Sequence, residues 1–183
     1  MKYVALLRGI NVGGNRKVPM ADLKASFEGL GFTGIKTFIN SGNVIFETDI
    51  NHTEELTKVI EKQIETDFGF AVAVILRSQA EMKKVVKAIP DTWVNNKEMK
   101  CDVMFLWPEF DSPKVLEQLV HNPKMEDLRY VRGAIIWRID RANATKSRVI
   151  KIIGTKLYKQ ITVRNVNTTR KINQLMKPDS DLA

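Results

Sequence analysis

Val74-Ile75-Leu76-Arg77-Ser78 and Ile161-Thr162-Val163-Arg164-Asn165 are the two stretches whose likeness decides the fold. Each is an extended, mostly apolar run that ends in arginine and then a small polar residue. A second pair of stretches agrees with the first. Ser41-Gly42-Asn43-Val44-Ile45-Phe46 matches Arg132-Gly133-Ala134-Ile135-Ile136-Trp137. The separation is 91 residues for this pair and 87 for the other, as short loop changes between two copies would produce.

Outward from these anchors, the first half alternates strand and helix signals. Lys2–Leu7 reads as a strand. Met20, Leu23, Phe27 and Leu30 recur at helical spacing, with Pro19 at the helix start and Gly31 past its end. Ile35–Ile39 and Val44–Thr48 read as strands around Asn40-Ser41-Gly42-Asn43, whose residue types suit a tight hairpin. Leu56, Val59, Ile60 and Ile64 give one apolar face to a helix over Thr53–Phe68. Ala71–Leu76 is a fourth strand, and Ser78 with Glu81 forms a capping box for a helix to about Ala88. The second half repeats the order. Asp102–Trp107, Asp127–Val131, Ala134–Ile139 and Gln160–Val163 are strands; Pro113–Val120, Lys146–Tyr158 and Thr168–Met176 are helices.

The expected class is therefore α+β, a tandem duplication of ferredoxin-like βαββαβ subdomains, each with an extra C-terminal helix. The expected subdomains are residues 1–95 and 96–183, joined through the polar stretch Asp91–Lys100. In a ferredoxin-like sheet the loop after the first strand and the hairpin between the second and third share one end. Arg8–Lys17 is thereby expected beside Asn40–Asn43. The segment after the fourth strand leaves from the opposite end of its own half.

Composition narrows the class of protein. With 44% hydrophobic and 27% charged residues the chain is an ordinary globular sequence. No apolar run approaches the roughly 18 residues of a membrane span, and polar Asn11, Arg16 and Lys17 follow Val4–Leu7 too soon for a signal peptide. A cytoplasmic protein with no membrane partner is expected. The single cysteine, Cys101, excludes an internal disulfide. No His, Cys, Asp and Glu have metal-ligand spacing, so neither a metal nor a cofactor is expected. His52 and His121 are expected at the surface, and Cys101 in the interior.

Charge is unevenly placed. Residues 1–95 hold 12 Lys+Arg against 11 Asp+Glu, whereas residues 96–183 hold 17 against 10. From Arg141 to Lys177 there are ten cations and no acid. Such a basic field attracts phosphate-rich partners, or else is a solvated face.

Three segments have the composition of anion sites. The first is the loop Arg8-Gly9-Ile10-Asn11-Val12-Gly13-Gly14-Asn15-Arg16-Lys17, between the first strand and the first helix. Glycines allow close approach to backbone N–H groups at a helix start, and Arg8, Arg16 and Lys17 add charge-assisted bonds. It is not a Walker loop: Gly9 and Gly14 have that separation, but Asn15-Arg16 follows where Lys-Ser/Thr is required. The second is the hairpin, where Asn40 or Asn43 faces a ligand beside Ser41, or the residues simply make the turn; as a nucleophile Ser41 has no obvious base nearby in sequence. The third is Arg164-Asn165-Val166-Asn167-Thr168-Thr169-Arg170-Lys171. There Asn167 or Thr168 caps the last helix, and Arg164, Arg170 and Lys171 ring its start with positive charge. Phe105 and Trp107 alternate on one strand, as core residues or as base-stacking ones.

Taken together, these motifs resemble the DUF1697 family of bacterial proteins over nearly the whole chain. The residues that carry the resemblance are Leu7-Arg8-Gly9-Ile10-Asn11-Val12-Gly13-Gly14, Ser41-Gly42-Asn43-Val44 and Thr162-Val163-Arg164-Asn165-Val166-Asn167-Thr168. Val166 stands where the family has Trp between the two asparagines. The resemblance implies two ferredoxin-like subdomains and supplies no activity.

Two functions are expected to compete. One is a binding protein for a phosphate-bearing partner, nucleic acid foremost, drawn by the Arg141–Lys177 cations and the Arg8–Lys17 loop. The other is an enzyme or sensor for a small anionic metabolite bound at that loop. In the absence of a His, Cys or paired-carboxylate constellation, such an enzyme would work by orientation and electrostatics.

Overall fold

The computed structural model describes every residue except Gly14, Asn15, Ile153, Gly154 and 179–183. The chain is α+β, with two four-stranded antiparallel sheets. The first holds β1 (Lys2–Leu7), β2 (Thr33–Phe38), β3 (Asn43–Glu47) and β4 (Val74–Ser78), in spatial order β2-β3-β1-β4. The second holds β5 (Met99–Leu106), β6 (Glu126–Val131), β7 (Ala134–Asp140) and β8 (Ile161–Asn165), in the order β6-β7-β5-β8. The two sheets coincide in register as well as in order. Val4 lies opposite Ile45 and Arg77, and Val103 opposite Ile136 and Arg164. The arginines that end the two matched stretches thus stand at equivalent points, each buried, with 6% and 7% exposure.

The run Tyr3-Val4-Ala5-Leu6-Leu7 is apolar throughout because β1 is buried on both faces. Tyr3, Ala5 and Leu7 enter the first core with Leu23 and Phe27 of α1 (Met20–Gly29) and Leu56, Ile60 and Ile64 of α2 (Thr53–Phe68). Phe46 is the centre of this core. Its ring stacks on Phe32 at 4.7 Å, and meets Phe27 edge-on at 5.2 Å. Full burial of each such ring stabilises by about 2–3 kcal/mol. Gly69, at φ 76°, ends α2 in the left-handed conformation that glycine adopts without strain.

The second sheet is covered differently. Helices are predicted at Pro113–Val120 and Lys146–Tyr158. The structure has 3-10 turns at Pro113–Gln118, Arg141–Lys146 and Val149–Ile152, then a single α-helical turn, α4 (Lys156–Lys159). Local chemistry accounts for the interruption. Ser147 is buried and gives its hydroxyl to Glu126, and branched Val149 and Ile152 are poor helix formers. Val115, Leu119, Val149 and Leu157 nevertheless reach the sheet and close a second core with Met104, Ile135 and Trp137.

Each sheet's last strand runs directly into a ten-residue helix, α3 (Gln79–Ala88) after β4 and α5 (Val166–Leu175) after β8. The latter begins two residues before the predicted Thr168. By internal contacts the chain forms two compact units. One is Met1–Gln79 with the chain from Ile172, and the other is Ala80–Lys171. Within the first unit, Gln79 Nε2 donates to the Met176 carbonyl at 2.7 Å. Within the second, the segment before β5 is bonded down. Arg170 donates to the carbonyls of Trp93 and Pro90 at 2.7 and 2.9 Å, and the Arg129 guanidinium lies over the Trp93 ring.

The β2–β3 connection, Ile39–Gly42, is two residues longer than the Arg132-Gly133 turn of the second sheet. Gly42 adopts φ 73°, and a Cβ there would lie 2.7 Å from both Ile10 Cδ1 and Leu7 Cβ. The Gly42→Ala variant is expected to lose about 2–3 kcal/mol through combined strain and overpacking, measured by urea denaturation. A loss under about 0.5 kcal/mol would show that this contact does not hold the hairpin.

Candidate functional site

The hairpin and the β1–α1 loop meet, as the sheet order requires. Leu7 N donates to the Gly42 carbonyl at 2.9 Å, and Ile10 is buried beneath. Asn11 is the clasp between them. At φ 54°, it donates through Nδ2 to the carbonyls of Val18 and Asn40, both at 2.9 Å. Its Oδ1 accepts from Val18 N at 2.8 Å, and its own N–H reaches the Arg16 carbonyl. Sequence reading places Asn11 against a ligand; the structure spends one amide hydrogen on the loop and the other on the hairpin. Gly13, Arg16 and Lys17 are exposed, Arg8 is half-buried, and the Arg16 guanidinium lies 5.8 Å from the Phe70 ring centre. Gly14 and Asn15 lie outside the described residues.

Ser41 and Asn43 are also drawn into the turn. Asn43 is fully buried and donates to the Phe38 carbonyl at 2.8 Å and to Ser41 Oγ at 3.0 Å. The segment after β8 proves to be a well-bonded helix start. Asn165, rather than Asn167 or Thr168, is the cap: its Oδ1 accepts from Thr168 N at 2.9 Å. Asn167 pairs with the backbone of Asn95 through both ends of its amide, and Thr168 is buried. Arg164 donates to Thr162 Oγ1 and the Val163 carbonyl, and burial lowers its guanidinium to about 10. Lys171 is exposed.

Cys101 is buried, and burial, with Asp102 adding to it, pushes its thiol up to about 12, so it is inert as a nucleophile. Phe105 is wholly buried. Among the described residues no three His, Cys, Asp or Glu side chains stand together as a metal site, and no helix is long and apolar enough to cross a membrane.

A cleft of about 390 Å³ lies between the second sheet and its β7–β8 connection. Lys100, Asp102 and Met104 alternate along β5 and share its floor with Trp137; Ile152 and Tyr158 face them from the connection. Lys100 Nζ stands 2.8 Å from Asp102 Oδ2 and 5.7 Å from the Trp137 ring centre. Sequence reading missed this site. Its signal was present as two charges at alternate positions in a strand whose other members are mostly apolar.

Glu126 anchors the connection above the cleft. Burial pushes its carboxyl up, but hydrogen bonds from the Ser147 hydroxyl and the N–H groups of Asn122 and Val149 outweigh this and hold it below the ordinary range.

An α+β protein with two register-matched sheets and a connection-covered cleft is thus defined. The chain belongs to the DUF1697 family, described as protein of unknown function, whose model matches residues 1–137. That span includes the first two resemblance motifs and ends before the third. The chain is also similar in structure to the conserved bacterial protein SP0830 from Streptococcus pneumoniae. The TM-score is 0.82 at 29% identity, over 96% of this chain and 98% of that one. No curated protein matches the sequence.

The Glu126 contacts predict a specific acid dependence. A carboxyl near 4.3 in the unfolded chain and lower when folded contributes fully above about pH 5. The contribution is lost as pH falls through the folded value. Glu126→Gln presents an amide N–H to groups that are themselves donors, and is expected to cost about 2 kcal/mol at pH 7. Urea denaturation should show this gap closing below about pH 4; a gap constant with pH would refute the assignment.

Proposed function

We propose that the protein is a tandem ferredoxin-like duplication that binds a phosphate-bearing partner, nucleic acid foremost, through its second unit. The matched strand orders and registers of the two sheets support the duplication. The observation that carries the binding reading is the β7–β8 connection. Arg141, Lys146, Arg148, Lys156 and Lys159 are all exposed on it, and no acid intervenes in the sequence. Within the run, Arg141 donates to the Asn96 carbonyl and Asn95 Oδ1, Arg164 is engaged in β8 and Arg170 on the backbone before β5. The connection therefore carries most of the exposed charge of this stretch on irregular backbone, suited to a partner with a backbone of phosphates.

Binding is expected to weaken steeply with salt through counterion release. Four engaged cations, Lys146, Arg148, Lys156 and Lys159, give a log–log slope near −2.8 for a single strand, at ~0.7 per phosphate. Replacing Lys156 and Lys159 with Ala should reduce the slope by about 1.4, measured by fluorescence anisotropy across a salt series. A protein that retards no single- or double-stranded nucleic acid at low salt does not have this function.

A second reading has its own observation. Asn11 fixes the base of the β1–α1 loop, while Gly13, Arg16 and Lys17 remain exposed. That combination suits a small anionic metabolite. Phosphate should then raise the melting temperature of the wild type but not of the Arg16→Ala/Lys17→Ala variant. Equal shifts in both would remove the loop from consideration.

A further inference from the structure

We propose that the cleft over β5 receives a nucleobase, carried either by a free nucleotide or by an unstacked residue of a single strand. The inference rests on the phosphate-binding reading and names the group attached to those phosphates.

The first argument is internal. The registers make Tyr3, Ala5, Phe46 and Leu76 of the first sheet equivalent to Asp102, Met104, Trp137 and Val163 of the second. In the first unit these four residues belong to the core that α1 and α2 complete. In the second, Met104 and Trp137 also belong to a core, but the same sheet face lies under short turns, and a cleft of about 390 Å³ remains beside Asp102 and Val163, within the range of small-molecule sites. A lysine–aspartate pair stands on its floor, where the first unit has Met1 beyond the core and the Tyr3 ring within it. An ion pair partly withdrawn from water is a weak stabiliser compared with apolar side chains of similar size. Stability alone does not explain this one.

The second argument is chemical. Asp102 offers a carboxylate, which accepts two N–H bonds, and Lys100 beside it offers donors. A base edge presents donors and acceptors side by side, so the pair can meet both. Ile152, Tyr158 and Val163 supply the apolar walls that a withdrawn base requires, over a floor closed by the nearly buried Trp137 and Met104. Tyr158 lines the cleft from α4 with exposed Lys156 and Lys159 on either side in sequence, so the base and its phosphate have adjacent partners.

The test uses the full chain and three probes: a labelled single-stranded DNA of about 12 nucleotides, an abasic phosphate backbone of the same length, and guanosine monophosphate. The DNA is expected to bind at least about tenfold tighter than the abasic backbone, by anisotropy. Asp102→Asn should remove that advantage while leaving abasic binding unchanged. Thermal melting checks that the variant is folded, and Val163→Phe, which fills the cleft from its half-exposed rim, should act alike if Asp102→Asn is not. Equal binding of both oligomers, unaltered by either variant, overturns the cleft inference and leaves the phosphate reading standing. Binding of the mononucleotide alone, lost in the variants, supports the cleft and overturns the nucleic-acid reading. Binding of none of the three overturns both.

Discussion

A strand that is hydrogen-bonded along both edges and buried on both faces has one register or none. In β1 and β5 that constraint is met twice, and the rest of the chain is arranged around them. A slip of one residue in β1 would exchange Tyr3, Ala5 and Leu7 for Val4 and Leu6 throughout the first core. Because β1 is locked between β3 and β4, its end delivers Ile10 and Asn11 against the β2–β3 hairpin. Because β5 is locked between β7 and β8, Lys100, Asp102 and Met104 face the connection that follows β7. The location of both candidate sites is thus a consequence of strand placement, whereas their chemistry belongs to the loops.

The elements of the first half are legible because each carries its own signal. Continuous apolar residues mark β1, helical spacing marks α1 and α2, and Asn, Ser and Gly mark the hairpin. The second half is legible in its strands and misleading in its connections. The pattern over Lys146–Tyr158 satisfies a helix as well as a series of turns, and the buried Glu126–Ser147 contact decides between them. That contact joins residues far apart in sequence. The side-chain amides pose the opposite difficulty. Asn11, Asn43, Asn165 and Asn167 have composition suited equally to a ligand and to the backbone. Only a folded chain shows Asn11 clasping Val18 and Asn40, or Asn165 capping α5. Arg164 reads as one more surface cation in a basic run, yet β8 turns it onto a buried face.

The comparison within the chain is more informative about function than any single motif. Two sheets of one order and one register carry different covers: a helical layer built on a knot of aromatic rings in the first, and short turns rich in cations in the second. The family match ends at Trp137, on the floor of the cleft, and the cationic connection lies past it. The similarity to the Streptococcus pneumoniae protein, by contrast, extends over 96% of the chain, so the architecture beyond residue 137 is shared in outline. What differs between the two sheets is the material laid over a matched strand order and register.

The return of the chain to its first unit at Ile172 bears on the order of assembly. Synthesis proceeds from the N-terminus, and domains generally fold as they emerge. Here the first sheet and its two helices are made early, but Ile172, Met176 and the carbonyl that receives Gln79 emerge after the whole of the second unit. The first unit to be started is therefore finished only after the second has been made.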